Sequence, residues 1–308
     1  MPDSREQDPK TWVDLASALA RVCTQEDLNF LLTNRIPRRA ATLAMGWLSR
    51  VESRRLTRLA IAAWQAFGGD LRLNEARTRD FNNLRACFTR ELRAGARPID
   101  PDPTTLVSPC DAVVGAFGRL DGTRALQIKG SSYGLIDLLG DASLVERHRG
   151  GLFVTLRLRS CMYHRFHAPC DARLRRVLYI SGDTWNVNPI ALRRVERLFC
   201  RNERAVLEFE LQDPDSALTL VPVAAILVAS IRLHALAGPL HLRYRGPNEL
   251  ACGVDYTRGA ELGYFENGST IVAFVAGPYD FAAGLTEGAT IRVGQPLLRR
   301  MAPRRTNQ

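Results

Sequence analysis

The sequence predicts an α+β protein in which N-terminal helices precede an antiparallel, β-rich catalytic domain. Apolar residues recur at helical spacing before about residue 95. Beyond that point glycine and proline are frequent, and they separate short runs in which apolar and polar residues alternate. The simplest division is therefore a helical region over residues 1–95 and a β-rich domain over residues 96–308.

The first region predicts helices over about residues 11–33, 38–68 and 74–94. The second of these is basic and amphipathic, because arginines between Arg35 and Arg58 alternate with apolar residues and are followed by Trp64 and Phe67. This pattern is typical of a segment that lies in a lipid interface. A surface helix packed on the core is the alternative interpretation.

The second region predicts strands over residues 112–118, 152–158, 173–180, 205–211, 218–232 and 240–245. Short helices are predicted for 133–139 and 189–194. The most apolar stretch, Leu218 to Ile231, contains Pro222 and is shorter than the roughly 20 residues of a membrane span, so buried strands are expected there and no transmembrane helix. The polar segment from Arg299 to Gln308 predicts a frayed tail.

The charge of the chain calls for an anionic partner. The formal net charge is +10, and nearly all of the basic residues are arginine. The amphipathic pattern favours an anionic membrane surface over nucleic acid. Seven scattered cysteines predict a reducing compartment, and the polar N-terminus shows no secretory signal, so we expect a peripheral protein at the cytoplasmic face of the membrane.

A possible nucleophile lies near the C-terminus, in Asn267-Gly268-Ser269-Thr270 ahead of an apolar run. A serine that follows glycine can attack the peptide bond on its own N-terminal side, since Gly268 has no Cβ to restrict the backbone. Asn-Gly before an apolar run is also the signature of a two-residue β-hairpin turn, and that alternative stays open here.

Possible partners for this serine occur elsewhere in the chain. His164 and His167 follow a predicted strand and precede Pro169, and Asp111 interrupts a segment that enters another strand. Imidazole is the usual acid or base near neutral pH, although a hydrogen-bonded structural histidine and a turn-forming aspartate are the simpler interpretations. No cysteine or histidine cluster at zinc spacing accompanies them, and no metal is expected. Aspartate, histidine and serine together supply an orienting acid, a base and a nucleophile.

These residues and several further segments resemble the phosphatidylserine decarboxylases, a pyruvoyl-dependent family whose members make their own cofactor by self-cleavage. The matching segments lie in the family's order over about residues 35–300: residues 81–92, 97–100, 108–111, 128–130, 133–139, 163–169, 188–189, 198–204 and 268–270.

The resemblance implies a self-processing triad of Asp111, His167 and Ser269. His167 would deprotonate Ser269, whose oxygen would attack the carbonyl of Gly268. Elimination and loss of ammonia would leave a pyruvoyl group on the new chain end. The products would be a β chain of residues 1–268 and an α chain of residues 269–308, which remain associated.

The resemblance also implies the reaction that follows processing. Phosphatidylserine would condense with the pyruvoyl ketone, lose CO2 and leave as phosphatidylethanolamine, and His164 is the candidate that protonates the carbon. Pyridoxal phosphate is disfavoured as the cofactor because Lys10 and Lys129 are the only lysines. A homodimer is compatible with exposed edge strands.

The chain departs from the family pattern at Asn267, Met162, Ser160, Arg258 and in Val223-Ala224-Ala225. None of these departures removes a proposed reacting atom, so we expect processing to survive, while cleavage rate and substrate detail are open. Two alternative functions also stay open. One is decarboxylation of a soluble amino acid by the same chemistry, and the other is a non-processing paralogue, either without enzymatic activity or acting as a serine hydrolase with the same three residues.

Overall fold

A computed structural model describes residues 30–31, 34, 36–128, 131–226, 230–266 and 269–302. Most of the helix predicted over residues 11–33 lies outside these residues. Within them, three N-terminal helices precede the sheets, as the sequence predicts, four short helices lie between the strands, and the paired strands are antiparallel.

The N-terminal layer contains two amphipathic helices, α1 (Arg38–Leu48) and α2 (Arg54–Gly68), and the short helix α3 (Leu84–Phe88). The prediction of one helix over residues 38–68 was wrong, because a new helix begins after Ser53, whose hydroxyl accepts a hydrogen bond from the amide of Leu56. The prediction of a helix over 74–94 was also wrong. A 3₁₀ turn (Leu73–Glu75) and extended chain precede α3, and Asn83 caps α3 at its N-terminus.

The strands and the remaining helices of the β-rich region run in the following order along the chain. They are β1 (Thr105–Val107), β2 (Ala112–Arg119), β3 (Arg124–Ile128), β4 (Ser131–Gly134), α4 (Leu135–Leu139), α5 (Ala142–Arg147), β5 (Leu152–Leu158), β6 (Arg165–His167), β7 (Ala172–Ile180), α6 (Pro189–Arg194), α7 (Leu198–Arg201), β8 (Arg204–Glu210), β9 (Ala217–Ala224), β10 (Ser230–Leu233), β11 (Leu240–His241), β12 (Glu249–Tyr256), β13 (Glu261–Phe265), β14 (Ser269–Ala276), β15 (Tyr279–Phe281), β16 (Thr290–Ile291) and β17 (Pro296–Arg300).

The predicted strands over residues 112–118, 152–158, 173–180 and 205–211 are confirmed to within one residue at each end by β2, β5, β7 and β8. The run 218–232 is two strands in different sheets, β9 and β10. The predicted strand at 240–245 is only two residues long, and the predicted helix at 133–139 begins at Leu135. Arg299 and Arg300 belong to β17 and are not a frayed tail; residues 303–308 are not described.

The largest sheet has eight strands in the order β12-β7-β8-β9-β14-β5-β2-β16. A second sheet has the order β11-β10-β13-β6, a third has β1-β17-β15, and β3 pairs with β4. The central strand β14 is buried on both faces. Ile271, Ala273 and Val275 face the core beneath the two smaller sheets, and Val272 and Phe274 face the core beneath the short helices.

Candidate active site

Ser269 is the first residue of the central strand β14. Its backbone lies opposite Leu158 at the end of β5 and Ala224 at the end of β9. The residue is fully buried, and Ser269 Oγ has no hydrogen-bond partner among the described residues. A buried hydroxyl without a partner carries an unfavourable desolvation cost, so this position favours a reactive role over a purely structural one.

The strands on either side of Asn267 and Gly268 belong to different sheets. β13 pairs with β10 and β6, whereas β14 pairs with β5 and β9. This arrangement excludes the β-hairpin interpretation of Asn-Gly. Asn267 and Gly268 themselves lie outside the described residues.

Glu266, which directly precedes that segment, is tied to the N-terminal layer. Its carboxylate forms an ion pair with Arg85 of α3, and Arg50, just beyond α1, lies 3.6 Å away. The side chain of Glu266 is only 11% exposed, so these contacts are largely shielded from solvent. The strand end ahead of the proposed cleavage site is therefore held against the helices.

His164 is a buried base with one free nitrogen. Nδ1 lies 2.8 Å from the carbonyl oxygen of Met162, which can only accept a hydrogen bond, so Nδ1 carries the proton. His164 Nε2 has no hydrogen-bond partner among the described residues, and the ring packs on Phe88 with centroids 4.0 Å apart. Burial lowers the pKa of His164 to about 3, which keeps the imidazole neutral and Nε2 available to accept a proton.

His167 has partners on both ring nitrogens. Nδ1 donates to the carbonyl oxygen of Gly259 at 2.9 Å, and Nε2 lies 3.1 Å from the hydroxyl of Tyr163. Burial raises the pKa of Tyr163 and lowers that of His167, so the hydroxyl stays protonated and donates to a neutral imidazole. His167 is thus fixed in one tautomer.

The backbone register orders the two histidines relative to the proposed cleavage site. The amide of Phe265 donates to the carbonyl oxygen of His164, whereas His167 pairs with Glu261 at the far end of β13. Four residues of extended strand correspond to about 13 Å. His164 therefore lies nearer than His167 to the end of β13 that leads to Ser269.

Asp111 is buried beside an arginine. Arg97 donates to both carboxylate oxygens, with a closest distance of 2.5 Å, and the amide of Val293 donates to Asp111 Oδ1 at 3.0 Å. The Arg97 guanidinium lies 6.0 Å from the centre of the Tyr163 ring. No direct hydrogen bond joins Asp111, His167 and Ser269, although the structure describes all three. Arg97 and Tyr163 lie between the aspartate and the histidine.

A cavity of about 630 Å³ adjoins the end of the central strands. It is lined by the three N-terminal helices, the end of β5 and the segments that follow β7 and β9, and it is open to solvent on one side. Phe88, which packs on His164, lines this cavity, and so does Leu158, which lies opposite Ser269. The free base and the buried hydroxyl therefore both have a neighbour in the wall of one large, mainly apolar cavity, which is typical of a small-molecule site.

Comparison with known proteins identifies the family of this chain. The sequence profile described as phosphatidylserine decarboxylase matches residues 84–299. The chain belongs to the phosphatidylserine decarboxylase family. This confirms the resemblance that the sequence motifs indicate.

Individual members of the family are similar over most of their length. Proteins named phosphatidylserine decarboxylase proenzyme include one from Aliivibrio salmonicida (strain LFI1238), 34% identical over 85% of this chain and 91% of its own length. The one from Brevibacillus brevis (strain 47 / JCM 6285 / NBRC 100599) is 32% identical over 88% and 97%. The one from Halorhodospira halophila (strain DSM 244 / SL1) is 41% identical over 74% and 78%.

The structure describes most of the residues at which the sequence motifs predict a departure from the family pattern. Met162 supplies the carbonyl that orients His164, Ser160 lines the large cavity, and the guanidinium of Arg258 donates to backbone carbonyls near β1. Val223 and Ala224 pair with the first residues of β14. Backbone groups make several of these contacts.

Sequence reasoning missed four residues of this decarboxylase-family site: Arg97, Tyr163, Phe88 and Arg157. Arg97, Tyr163 and Phe88 lie in segments that match the family, but the motif alone gave them no role. Arg157 lies in a regular alternating strand and carries no sequence signal. Their contacts depend on pairings between distant parts of the chain, which only the structure supplies.

Two further findings concern the N-terminal layer and the cysteines. None of the helices in the described ranges is both long enough and apolar enough to cross a bilayer. Cys87, Cys110, Cys161, Cys170, Cys200 and Cys252 are all free thiols. Lys10 and Lys129 lie outside the described residues.

Proposed function

We propose that this chain is a self-processing, pyruvoyl-dependent decarboxylase that converts phosphatidylserine to phosphatidylethanolamine and CO2. Membership of the family and the names of its relatives support this function. The observation that carries it is the buried hydroxyl of Ser269, which has no hydrogen-bond partner among the described residues and lies at the start of the central strand, beside the apolar cavity.

Processing uses the hydroxyl of Ser269 as its nucleophile. Ser269 Oγ attacks the carbonyl carbon of Gly268, the bond to the Ser269 nitrogen breaks, and an ester replaces the amide. Elimination across this ester then separates residues 1–268 from residues 269–308. Loss of ammonia from the new chain end, with uptake of water, leaves the pyruvoyl group. A hydroxyl without a hydrogen-bond partner among the described residues fits this role, because no contact with them has to be broken before it attacks.

His167 and Asp111 belong to the processing step in this proposal, as the family resemblance implies. Their described contacts support positioning: Tyr163 and Gly259 fix the tautomer of His167, and Arg97 holds the carboxylate of Asp111. Removal of the proton from Ser269 by His167 would require Nε2 to exchange its contact with Tyr163 for one with Ser269.

His164 serves the decarboxylation. The pyruvoyl group supplies an electron-withdrawing carbonyl that takes up the electron pair left when CO2 departs. His164 Nε2 takes up a proton that the substrate's ammonium group loses and delivers it to the carbon that CO2 leaves. The neutral imidazole, with Nε2 unpartnered among the described residues, can accept a proton before it donates one.

The N-terminal helices place the cavity at an anionic membrane surface. Five apolar side chains of α1 and α2 are exposed: Leu43, Trp47, Leu48, Leu56 and Leu59. Trp47 is 73% and Leu59 is 70% exposed, and arginines flank them. Exposed apolar groups among cations suit insertion between anionic headgroups. The free cysteines support a reducing compartment and hence the cytoplasmic face.

The proposal also covers two kinds of association, between the α and β chains and between two copies of the protein. The α and β chains stay associated, because β14 pairs along its length with β5 and β9. A homodimer would use an edge strand, and β12 at one end of the largest sheet is mostly exposed.

Release of labelled CO2 tests the proposed substrate. Purified protein should release it from carboxyl-labelled phosphatidylserine in anionic vesicles and should release much less from free serine at the same concentration. Release from serine alone would support the soluble amino-acid alternative. No release from either compound, with an uncut chain, would support a non-processing paralogue.

A further inference from the structure

Two arginines are the only ionisable residues among those lining the large cavity. Arg157 and Arg159 lie at the end of β5 and just beyond it, and the other lining residues are apolar, small or uncharged polar. Across the described part of the chain, neither guanidinium has a carboxylate within ion-pair distance or an acceptor within hydrogen-bond distance. The cavity therefore presents uncompensated positive charge next to an apolar wall.

The position of Arg157 makes this charge costly in the absence of a ligand. Its backbone lies opposite Thr270, the residue that follows Ser269, and its side chain is half-buried. Burial lowers the pKa of Arg157, and the positive charge of the neighbouring Arg159 makes a smaller contribution in the same direction. Two other arginines with little exposure, Arg97 and Arg176, have carboxylate partners in Asp111 and Glu208, and the buried Arg90 donates to backbone carbonyls. An anionic ligand would compensate Arg157 in the same way.

We propose that Arg157, assisted by Arg159, binds the phosphodiester of the substrate's headgroup and thereby selects a phospholipid over a free amino acid. This assignment rests on the proposed function and extends it to a substrate subsite. A guanidinium presents paired donors that match the oxygens of a phosphate. The apolar wall then accommodates the lipid beyond the phosphate.

The substrate carboxylate is the other anion that could pair with Arg157. Pairing with that carboxylate would stabilise the ground state, and the interaction would be lost as neutral CO2 forms, which opposes the reaction. The phosphodiester keeps its charge throughout. It is separated from the reacting amine only by the carbons of the serine unit and an ester oxygen. The side chains of Arg157 and Ser269 leave opposite faces of the sheet, but Arg157 lines the same cavity as Leu158, the cross-strand partner of Ser269.

Binding of a soluble headgroup tests the assignment without relying on turnover. The probe is glycerophosphoethanolamine, which has the phosphodiester but neither a carboxylate nor acyl chains. Its affinity is measured by calorimetry on full-length Ser269→Ala protein, which cannot form the ketone, and on that protein with Arg157→Gln, Arg159→Gln or Arg175→Gln added. Arg175 is an exposed arginine of β7 outside the cavity, so its variant controls for the loss of one charge.

The expected result is about a tenfold or greater loss of affinity with Arg157→Gln, a smaller loss with Arg159→Gln and no change with Arg175→Gln. Ethanolamine should bind weakly to all four proteins. Inorganic phosphate should compete with glycerophosphoethanolamine in the parent, but with lower affinity than the diester. Equal affinity of the Arg157→Gln protein and its parent for the probe would overturn the assignment.

Steady-state kinetics of the processed protein distinguish recognition of the substrate's phosphate from recognition of its carboxylate. Arg157→Gln should raise KM for phosphatidylserine vesicles with little change in kcat, while activity on free serine, if any, stays as in the parent. A loss confined to ligands that contain the serine carboxylate would overturn the phosphodiester assignment. If the parent is not cut and releases no CO2, the proposed function fails, but the binding measurement on the Ser269→Ala protein still decides the role of Arg157.

Discussion

At the residue scale, the site is defined by buried polar atoms without partners. Ser269 Oγ and His164 Nε2 are both buried and unpaired among the described residues, although buried polar groups are normally satisfied. The side chains around them are well held: Phe88 packs on His164, and Arg97 and Tyr163 support Asp111 and His167. Reactive atoms are therefore left free within a rigid surrounding.

The two histidines should separate by function when each is replaced. His167→Ala should leave the chain uncut. His164→Ala should allow cleavage but lower kcat for decarboxylation by about 100-fold or more, since a positioned acid or base contributes that much. Mass spectrometry of the denatured protein measures cleavage, and CO2 release measures turnover. An uncut His164→Ala protein together with a cut His167→Ala protein would show the reverse assignment, with His164 in processing and His167 in decarboxylation.

His148, a buried histidine outside the site, should make the protein sensitive to acid. Burial, with a smaller contribution from Arg147, lowers the pKa of His148 to about 3, and Nε2 is hydrogen-bonded to Thr219 at 2.7 Å. Between about pH 6.5 and 3 the unfolded chain binds a proton at this residue that the folded chain does not, so stability falls as the pH falls.

Replacement of His148 should remove this contribution. Urea titrations of the Ser269→Ala protein with and without His148→Gln measure the free energy of unfolding from pH 7 to 4.5. The parent should lose about 1.4 kcal/mol more per pH unit below its midpoint near 6.5 than the variant. Identical slopes for the two proteins would contradict the buried, neutral state of His148.

At the element scale, contacts between elements distant in the sequence position the site. Ser269 begins a strand of the largest sheet, while the residues before Asn267 belong to another sheet. Glu266, at the end of the described chain before the cut, contacts Arg85 and Arg50. The N-terminal helices are therefore mechanically connected to the processing segment as well as to the cavity.

Loss of the Glu266 contacts should slow processing. Glu266→Gln removes the charge that holds this strand end to the helices, and a small displacement of the scissile peptide should reduce the cleavage rate by about tenfold or more. The fraction of cut chain is followed by mass spectrometry after expression at low temperature. Glu146→Gln, which removes an exposed carboxylate paired with Arg149, is the matched control. Equal rates for Glu266→Gln and the parent would show that the contacts do not matter for cleavage.

The exposed apolar face of α1 and α2 should determine membrane binding without affecting processing. A Trp47→Ser, Leu59→Ser protein loses two large apolar groups, each worth about 1.5–3 kcal/mol when buried, so its partitioning into anionic vesicles should weaken by at least about 100-fold. Vesicle flotation measures this, with Leu126→Ser, an exposed leucine of β3, as the control. Unchanged flotation of the double variant would contradict the membrane role of these helices.

The sequence predicted the strands better than the helices, for physical reasons. β5, β7 and β8 alternate or are uniformly apolar between clear turn residues, so their bounds followed from the pattern. The break between α1 and α2 depends on the capping side chain of Ser53, and the segment before α3 is held extended by long-range contacts such as the bridge between Ala76 and Leu92. Hydrophobic periodicity does not contain such information.

At the scale of the whole molecule, the fold explains how a cut chain can remain one protein. The segment after Ser269 contributes β14 to the middle of the largest sheet, and β15, β16 and β17 to its edge and to the three-stranded sheet. Both faces of β14 are buried in the two main cores. Separation of the pieces would expose these cores, so cleavage should leave the assembly intact.

Both the sequence motifs and the structure were needed to describe the candidate site. The order of motifs identified Ser269, His164, His167 and Asp111, because chance agreement over so many segments is small. It could not show that His164 has the free nitrogen, that Asp111 is bound by Arg97, or that Arg157 faces the cavity. Those features arise from pairings across the sheets and from burial, which depend on the complete fold.

The mass of the purified protein under denaturing conditions tests the central claim most directly. The parent should give two fragments, residues 1–268 and residues 269–308 with a pyruvoyl end, that migrate as one species before denaturation, and Ser269→Ala should give one chain. A parent that remains a single chain near 34.3 kDa with an unmodified Ser269, and that releases no CO2 from phosphatidylserine vesicles, would contradict the account.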